Sequence, residues 1–552
     1  MTDFISSLYP WLKLDALNGF VVLAIGLFSI LTLLYSSKFM KGKGSPLQYY
    51  TYIILTTVAS VGVVLSNNLL LLLILWGFLG VTLYLLINMG DDASATAKKT
   101  FIIVGGTDAL MLLGIGIIYS LAGSLQMDAI RLGLDNGLAV LAYICIAIAC
   151  FAKAGLMPFH SWIPDCAKDA PVPVVAFLPA SLDKLLGIYL LARVSLHIFA
   201  MNEAMRIFLM LIGAFTIIAA VMMALVQHNM KRLLGYHAVS QVGYMILGIG
   251  TGIPIGIAGG MFHMLNHAIY KSCLFFTAGD VEYRTKSTEL DELGGLGRAM
   301  PITYICCLIA ALSISGVPPF NGFVSKWMVY QGLISRLTLS GMGPVTVICL
   351  AAAMFGSGLT LASFMKLIHA AFLGEASRER KRISEVPWQM WLPAAVLAAI
   401  CVFFGVFARQ LPLRYFILPA VEGVVFDGTW YAGLSTALIV IGLILGVLIF
   451  RLKAIKPTLR RDAPFTGAET TEVEHKMVSG TEFYNSIKEL KVLRAIYARA
   501  EAGLFDIYTQ GKRFVFSLSG VFQYLHNGVL PTYMVWCLLG MLGLFFTFII
   551  LK

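Results

Sequence analysis

The chain has 552 residues, 59% of them hydrophobic and 12% charged, with a formal net charge of +11. Soluble domains hold about 45–50% apolar and about 25% charged residues, so a soluble multidomain protein is excluded. The lysines and arginines sit mainly in short loops between apolar runs, so the positive charge reads as membrane topology; no basic and aromatic array for RNA or DNA occurs.

The N-terminal stretch from Met1 to Asp15 lacks a basic segment, so the first apolar run reads as an uncleaved span rather than a signal peptide. Taking about 20 apolar residues per crossing, spans are predicted near 17–36, 50–66, 69–89, 101–122, 137–168, 172–197, 207–227, 236–252, 255–279, 302–335, 345–373, 390–410, 431–450 and 531–551. This is an all-α polytopic membrane protein of about 14 transmembrane helices. Two runs are too long for one straight crossing. The first is interrupted at Pro158 and the second at Pro318 and Pro319. Proline removes a backbone donor and clashes with the preceding turn, so each is predicted to be a broken helix. Broken helices at membrane depth line cavities or are buried in protein. The two interruptions resemble each other: each has Pro-Phe, and an aromatic residue four positions after a proline (Pro158 to Trp162, Pro319 to Phe323). Such paired interruptions suggest internal repeats.

Charges inside spans are costly and ask for a partner or a role. In chain order they are Asp108, Lys153, the adjacent Asp183 and Lys184, the stripe His263, His267 and Lys271, and Lys326. Lys153 precedes the first break and reads as a proton carrier or as a snorkelling side chain. His263, His267 and Lys271 recur every four residues, so they share one helix face. Three titratable groups on one stripe suit a proton relay, with satisfied core histidines as the alternative. No acidic third ligand stands beside them, so no metal site is expected. Lys326 follows the second break. Lys366 and His369, near the end of 345–373, read as path residues or as partly wetted side chains. The nine cysteines lie mostly in apolar runs without ligand spacing, so no cluster, haem or other cofactor is expected.

If each broken helix crosses once, loops 37–49, 90–100, 168–171, 228–235, 280–300, 374–387 and 451–461 share one side. They are the more basic set, which places them in the cytoplasm and both termini outside. Further on, Phe483, Ile487, Leu490, Leu493, Tyr497, Leu504 and Tyr508 recur at helical spacing, with Lys488, Lys491, Arg494, Arg499, Lys512 and Arg513 between them. One amphipathic helix over 481–527 is predicted, lying along the cytoplasmic face on lipid or bracing neighbouring spans or subunits.

These residues resemble a known family. Lys153-Ala154-Gly155-Leu156-Met157-Pro158-Phe159-His160-Ser161-Trp162-Ile163-Pro164-Asp165, the stretch from Lys231 to Tyr244, Phe262-His263 to Lys271, and Pro318 to Lys326 are similar to the proton-conducting antiporter-like subunits of respiratory complex I, membrane-bound hydrogenases and Mrp-type antiporters. The likeness spans roughly 15–373. The C-terminal amphipathic helix and last span further resemble the large distal member of complex I. The resemblance implies two inverted five-helix repeats, each with a broken helix. The implied organisation is an N-terminal span and basic loop (1–49), repeats over 50–197 and 207–373, additional spans (390–450), a cytoplasmic loop with the lateral helix (451–530) and a terminal anchor (531–552). It implies an ion path through Lys153, Asp108, His263, His267, Lys271 and Lys326, with Asp183 and Lys184 as further candidates.

Two departures stand out. The family's glutamate after a tryptophan is replaced here by Gly77 in Leu75-Trp76-Gly77-Phe78. The chain also starts about two spans later than the family pattern, and Pro179 stands where many members carry histidine. Lys153 is therefore expected to find Asp108, or failing that Asp183, as its counter-ion. The implied function is proton or sodium translocation by one subunit of a redox-driven complex of the complex I or hydrogenase type. This chain would lie in a prokaryotic inner membrane beside other antiporter-like subunits and a redox module that holds the catalytic centre. The alternatives are the membrane half of an inorganic-carbon uptake system and a non-conducting scaffold.

Overall fold

Lipid offers no partner to a free backbone amide, so apolar runs of this length fold as helices that satisfy their own hydrogen bonds. The structure, a computed structural model, describes residues 11–339, 343–374, 383–426, 437–448 in part, 481 and 484–550. The predicted span 431–450 lies largely outside the described residues, as do loop 451–480 and Phe483. Two compact units occur, Met1–Leu490 and Lys491–Lys552.

The first unit opens with α1 (Ala16–Phe39), α2 (Pro46–Leu65), α3 (Leu69–Ile87) and α4 (Ser94–Ala122). The first broken helix follows as α5 (Gly137–Ala154) and α6 (Trp162–Asp169). Next come α7 (Val172–Ile198), α8 (Glu203–Leu225), α9 (Met230–Gly250) and α10 (Pro254–Thr285). The second broken helix is α11 (Pro301–Ser315) and α12 (Asn321–Leu339). The helices α13 (Gly343–Leu373) and α14 (Trp388–Val406) come next, with a further helical segment at Arg409–Ile417. Counting the last helix of the second unit, ten helices among the described residues are long and apolar enough to cross a membrane. The more polar α9, α10 and α12 are not among them, because they carry the family-like motifs.

Side-chain caps explain several starts. Asp15 and Asn18 form a reciprocal capping box at α1, while Asn68, Asn202 and Asn229 cap α3, α8 and α9. Two predicted boundaries move for the same local reason: polar residues continue a helix once its core-facing side is buried. Thus α4 starts at Ser94 rather than near 101, and α9 at Met230 rather than near 236.

The centre of the unit is α10, buried from Ile255 to Val281. It packs against α7, α9, α11, α12 and α14. The apolar window of α7 is buried throughout. At Leu178–Leu182 this helix widens by one residue per turn around Pro179, and Ser181 returns hydrogen bonds to the carbonyls of Ala176 and Phe177.

Both breaks are built alike. Helix α5 ends on Gly155 at φ 78°, and Leu156 N donates back to Phe151 O at 2.8 Å. Helix α11 ends on Gly316 at φ 80°, and Val317 N donates to Leu312 O at 3.0 Å. This is the six-to-one closure of a left-handed glycine cap, and only glycine adopts that conformation without strain.

The second unit contains Lys491–Glu501, Ile507–Leu525 and Leu530–Ile550. The single amphipathic helix predicted over 481–527 is therefore divided, with Asn485–Glu489 forming a separate short helix at the end of the first unit. The division falls where Gly503 takes a positive φ of 72° and Asp506 caps the following helix through Tyr508 N. Apolar periodicity runs through such a turn without registering it.

Candidate functional site

Burying a charge without a partner is expensive in a medium that cannot solvate it. The first unit nevertheless encloses a series of such groups. Lys153, Asp183, Lys184, His263, His267, Lys271 and Lys326 are all at most 1% exposed.

At the first break, Lys153 Nζ lies 3.6 Å from Asp183 Oδ1. Its ammonium also faces the Trp76 ring, 5.5 Å from the centroid. Asp183 thus approaches Lys153 from α7. Asp108 on α4 makes no ion pair among the described residues, although Lys153 is the cation that acts on it. Asp108 lies beside Gly80, where an added Cβ would sit 3.8 Å from its Oδ2. A Cβ at Gly77 would meet nothing within 4 Å, so this position leaves room for a larger side chain. Lys184 points the other way. Its Nζ lies 5.7 Å from the Trp162 ring centroid, and an added Cβ on Gly155 would be 3.5 Å from it, so it sits against the break itself. The Trp162 indole caps Ala152 O at 3.1 Å.

Helix α10 carries the central stripe. From His263 to Lys271 the rise is about 12 Å. His263 Nδ1 meets Ser325 Oγ at 2.9 Å, while Nε2 meets Gln241 Oε1 and Tyr270 Oη, each at 3.2 Å. Lys271 has no hydrogen-bond partner among the described residues. Lys271 Nζ lies 5.8 Å from the centroids of both the Phe275 and the Phe364 rings. Lys184 on α7 and Lys271 on α10 both lie close enough to His267 to act on it electrostatically.

At the second break Ile314 lies in the last turn of α11, whose carbonyls have no amide within the helix to pair with. Lys326 Nζ fills the vacancy, donating to Ile314 O at 2.8 Å and to Ser357 Oγ at 3.1 Å. Asn266 and Asn321 tie the break to α10 through bonds of 2.9 and 3.0 Å.

Sequence reasoning missed several members of this network. His237 is wholly buried, meets Ser363 Oγ at 2.8 Å, and feels Lys271, Lys326 and Lys366. Gln241, Tyr270, Ser325 and Ser357 likewise join lysines or histidines by hydrogen bonds. His237, Gln241 and Ser325 stand within the motif runs, which was a usable signal; Ser357 lies in an ordinary apolar span and gave none. Lys366 has a different setting. It is buried and donates to Leu225 O and Gln227 O at 2.6 and 2.7 Å, so it satisfies the end of α8. Among the described residues, no three His, Cys, Asp or Glu side chains converge as metal ligands.

Residues 66–351 match the family model described as NADH:quinone oxidoreductase/Mrp antiporter, transmembrane. The chain is 29% identical over 426 residues to hydrogenase-4 component B of Escherichia coli, covering 72% of this chain and 63% of that one. It is 32% identical over 427 residues to Na(+)/H(+) antiporter subunit A1 of Staphylococcus haemolyticus, covering 72% and 53%. It is 30% identical over 427 residues to NADH-quinone oxidoreductase subunit N of Desulforudis audaxviator, covering 73% and 83%. The chain therefore spans less than two thirds of the first two relatives. Among solved structures, a chain of the membrane-bound sulfane sulfur reductase, an archaeal respiratory membrane complex, superposes with a TM-score of 0.78 at 23% identity over 97% of this chain and 89% of that one. A chain of respiratory complex I from Thermus thermophilus gives 0.65 at 20% identity over 74% and 84%. These two establish a common fold. The chain is a multi-pass membrane protein and belongs to the NADH:quinone oxidoreductase/Mrp antiporter transmembrane family.

Proposed function

We infer that this chain translocates protons as one membrane subunit of a larger energy-converting complex. The observation that carries this reading is the buried series from the Lys153–Asp183 pair, past Lys184, to His267, Lys271, His263 and Lys326. A structural ion pair explains Lys153 and Asp183, but nothing structural calls for Lys271, which has no hydrogen-bond partner among the described residues. Relatives named as hydrogenase, Na(+)/H(+) antiporter and NADH-quinone oxidoreductase components support an ion-moving role.

The two broken helices, α5–α6 and α11–α12, mark two half-channels, within repeats over 50–197 and 207–373. Asp183 takes the place of the missing carboxylate at position 77 as the acid beside Lys153. The basic loops face the cytoplasm of a prokaryote and the termini face outward. Redox chemistry belongs to a partner module, and further antiporter-like subunits adjoin this one.

The experiment is Lys326→Ala in the complex reconstituted into liposomes, with proton movement followed by a pH-sensitive dye. Coupled translocation through this chain is expected to stop while the complex assembles. Wild-type translocation in the assembled variant would contradict the reading.

A further inference from the structure

Another buried acid lies on α10, away from the stripe. Asp280 sits close to the end of the helix at Thr285 and is wholly buried. It forms no ion pair among the described residues, and its Oδ1 has no hydrogen-bond partner among them. A carboxylate taken out of water without a cation is costly, and such a group is held neutral instead. Thr303 Oγ1, on α11, lies 3.4 Å from Asp280 Oδ2. Tyr35 on α1 lies beside it. Glu385, in the loop before α14, and Arg284 both act on it electrostatically, but the Arg284 guanidinium donates to the Glu385 carbonyl. The thiols of Cys273, Cys306 and Cys307 complete its titratable surroundings.

The hydrogens available to the two acids are unequal. Glu385 is well supplied as an anion. Its Oε2 accepts from Ile302 N at 2.8 Å and Thr303 N at 3.3 Å, and its Oε1 accepts from Thr303 Oγ1 at 2.6 Å and Val386 N at 3.2 Å. A threonine hydroxyl has one proton to give and two lone pairs. The 2.6 Å contact commits that proton to Glu385, so Thr303 turns a lone pair toward Asp280. Tyr35 is placed likewise, because its hydroxyl donates to Phe276 O at 3.0 Å. Both hydroxyls that face Asp280 therefore meet it as acceptors. A carboxylic acid supplies the donor that this arrangement lacks, and a carboxylate does not.

We propose that Asp280 and Glu385 hold one proton between them through Thr303, forming a proton-binding site where α10 meets the basic loops. The site goes beyond the translocation reading, since it stands on its own contacts whether or not Lys271 and Lys326 conduct. The proton rests on Asp280, and Glu385 is the carboxylate. In transfer, the O–H bond of Asp280 breaks as an O–H bond forms on Thr303, and the original Thr303 proton passes to Glu385 Oε1. Thr303 gains one proton as it loses one, and the pair keeps a single negative charge. Glu385 belongs to the segment between α13 and α14 rather than to a helix, within loop 374–387 of the basic set. It is therefore the member through which the site exchanges its proton.

The experiment is infrared spectroscopy of the assembled complex across a range of pH, without turnover, following the C=O stretch of protonated carboxyl groups. The variants are Asp280→Asn, Thr303→Val and Thr303→Ser, with assembly checked by size-exclusion chromatography. The wild type is expected to show a carboxylic-acid band at neutral pH that Asp280→Asn loses. Thr303→Val, which keeps the shape and removes the hydroxyl, should shift that band, and Thr303→Ser should return it to its place. Equal acid bands in wild type and Asp280→Asn would overturn the proposal, because Asp280 would hold no proton. A band lost in Asp280→Asn but unmoved in Thr303→Val would also overturn it, because the proton would not be shared. The Thr303 variants keep both carboxyl groups, so they read the site even where Asp280→Asn does not assemble; identical acid bands in both and in the wild type would then overturn it. Carboxylate bands that move on adding sodium, with no acid band at any pH, would put a sodium ion in the proton's place and overturn it too.

Discussion

The pair Lys153–Asp183 is where a single side chain has the largest consequence. Both groups are 1% exposed and their charged atoms are 3.6 Å apart. Removing one partner of a buried pair leaves an uncompensated charge and costs about 3–5 kcal/mol, whereas replacing both by apolar groups is often neutral. Asp183→Ala should therefore lower the thermal unfolding midpoint of the purified complex, and adding Lys153→Met to it should recover most of the loss. Equal losses in the single and double variants would show that the carboxylate does not serve the lysine. Intramembrane charges were legible in the sequence because their cost makes each one conspicuous. Which acid reaches Lys153 was not, because the choice between Asp108 and Asp183 depends on how α4 and α7 are placed around α5. Ser357 was illegible for another reason: a hydroxyl in an apolar span costs little and so attracts no notice.

Among the elements, the breaks were legible because proline and glycine act locally. What holds them was not. A Cβ on Gly405 of α14 would sit 2.0 Å from Pro319 O and 2.6 Å from the carbonyl carbon of Phe320. Backbone cannot yield to that contact as a flexible side chain would. Gly405→Ala is expected to push α14 away from the second break and to reduce recovery of assembled complex several-fold, measured by size-exclusion chromatography. Wild-type recovery would mean that the approach of the two elements is looser than described. Lys366 makes the opposite case, a membrane lysine whose contacts are structural. Lys366→Met leaves two carbonyls at the end of α8 without their donor, a cost of about 1–3 kcal/mol for a buried polar group. A lower unfolding midpoint with unchanged translocation per turnover is expected. Lost translocation at full stability would instead put Lys366 on the ion path. The divided amphipathic segment shows the limit of periodicity, since Gly503 and Asp506 turn the chain while the apolar spacing carries on through them.

Across the whole molecule, helix content and membrane character follow from composition and span length, and the family follows from four ordered motifs. The number of crossings was legible only approximately, because α9, α10 and α12 are enclosed by other helices and so carry polar groups that a lipid-facing span excludes. The central claim is that ions pass through the interior of this chain by way of charged groups that packing alone does not require. Lys271 tests it most directly, being wholly buried, near the Phe275 and Phe364 rings, and without a hydrogen-bond partner among the described residues. Lys271→Met keeps nearly the same volume and removes only the amine, so the fold should lose nothing and gain stability if anything. The decisive measurement is proton translocation per turnover by the reconstituted complex carrying Lys271→Met. The expected result is a complex that assembles with an unchanged or higher unfolding midpoint and translocates through this chain at no more than about a tenth of the normal rate; an assembled Lys271→Met complex translocating at the wild-type rate would contradict it.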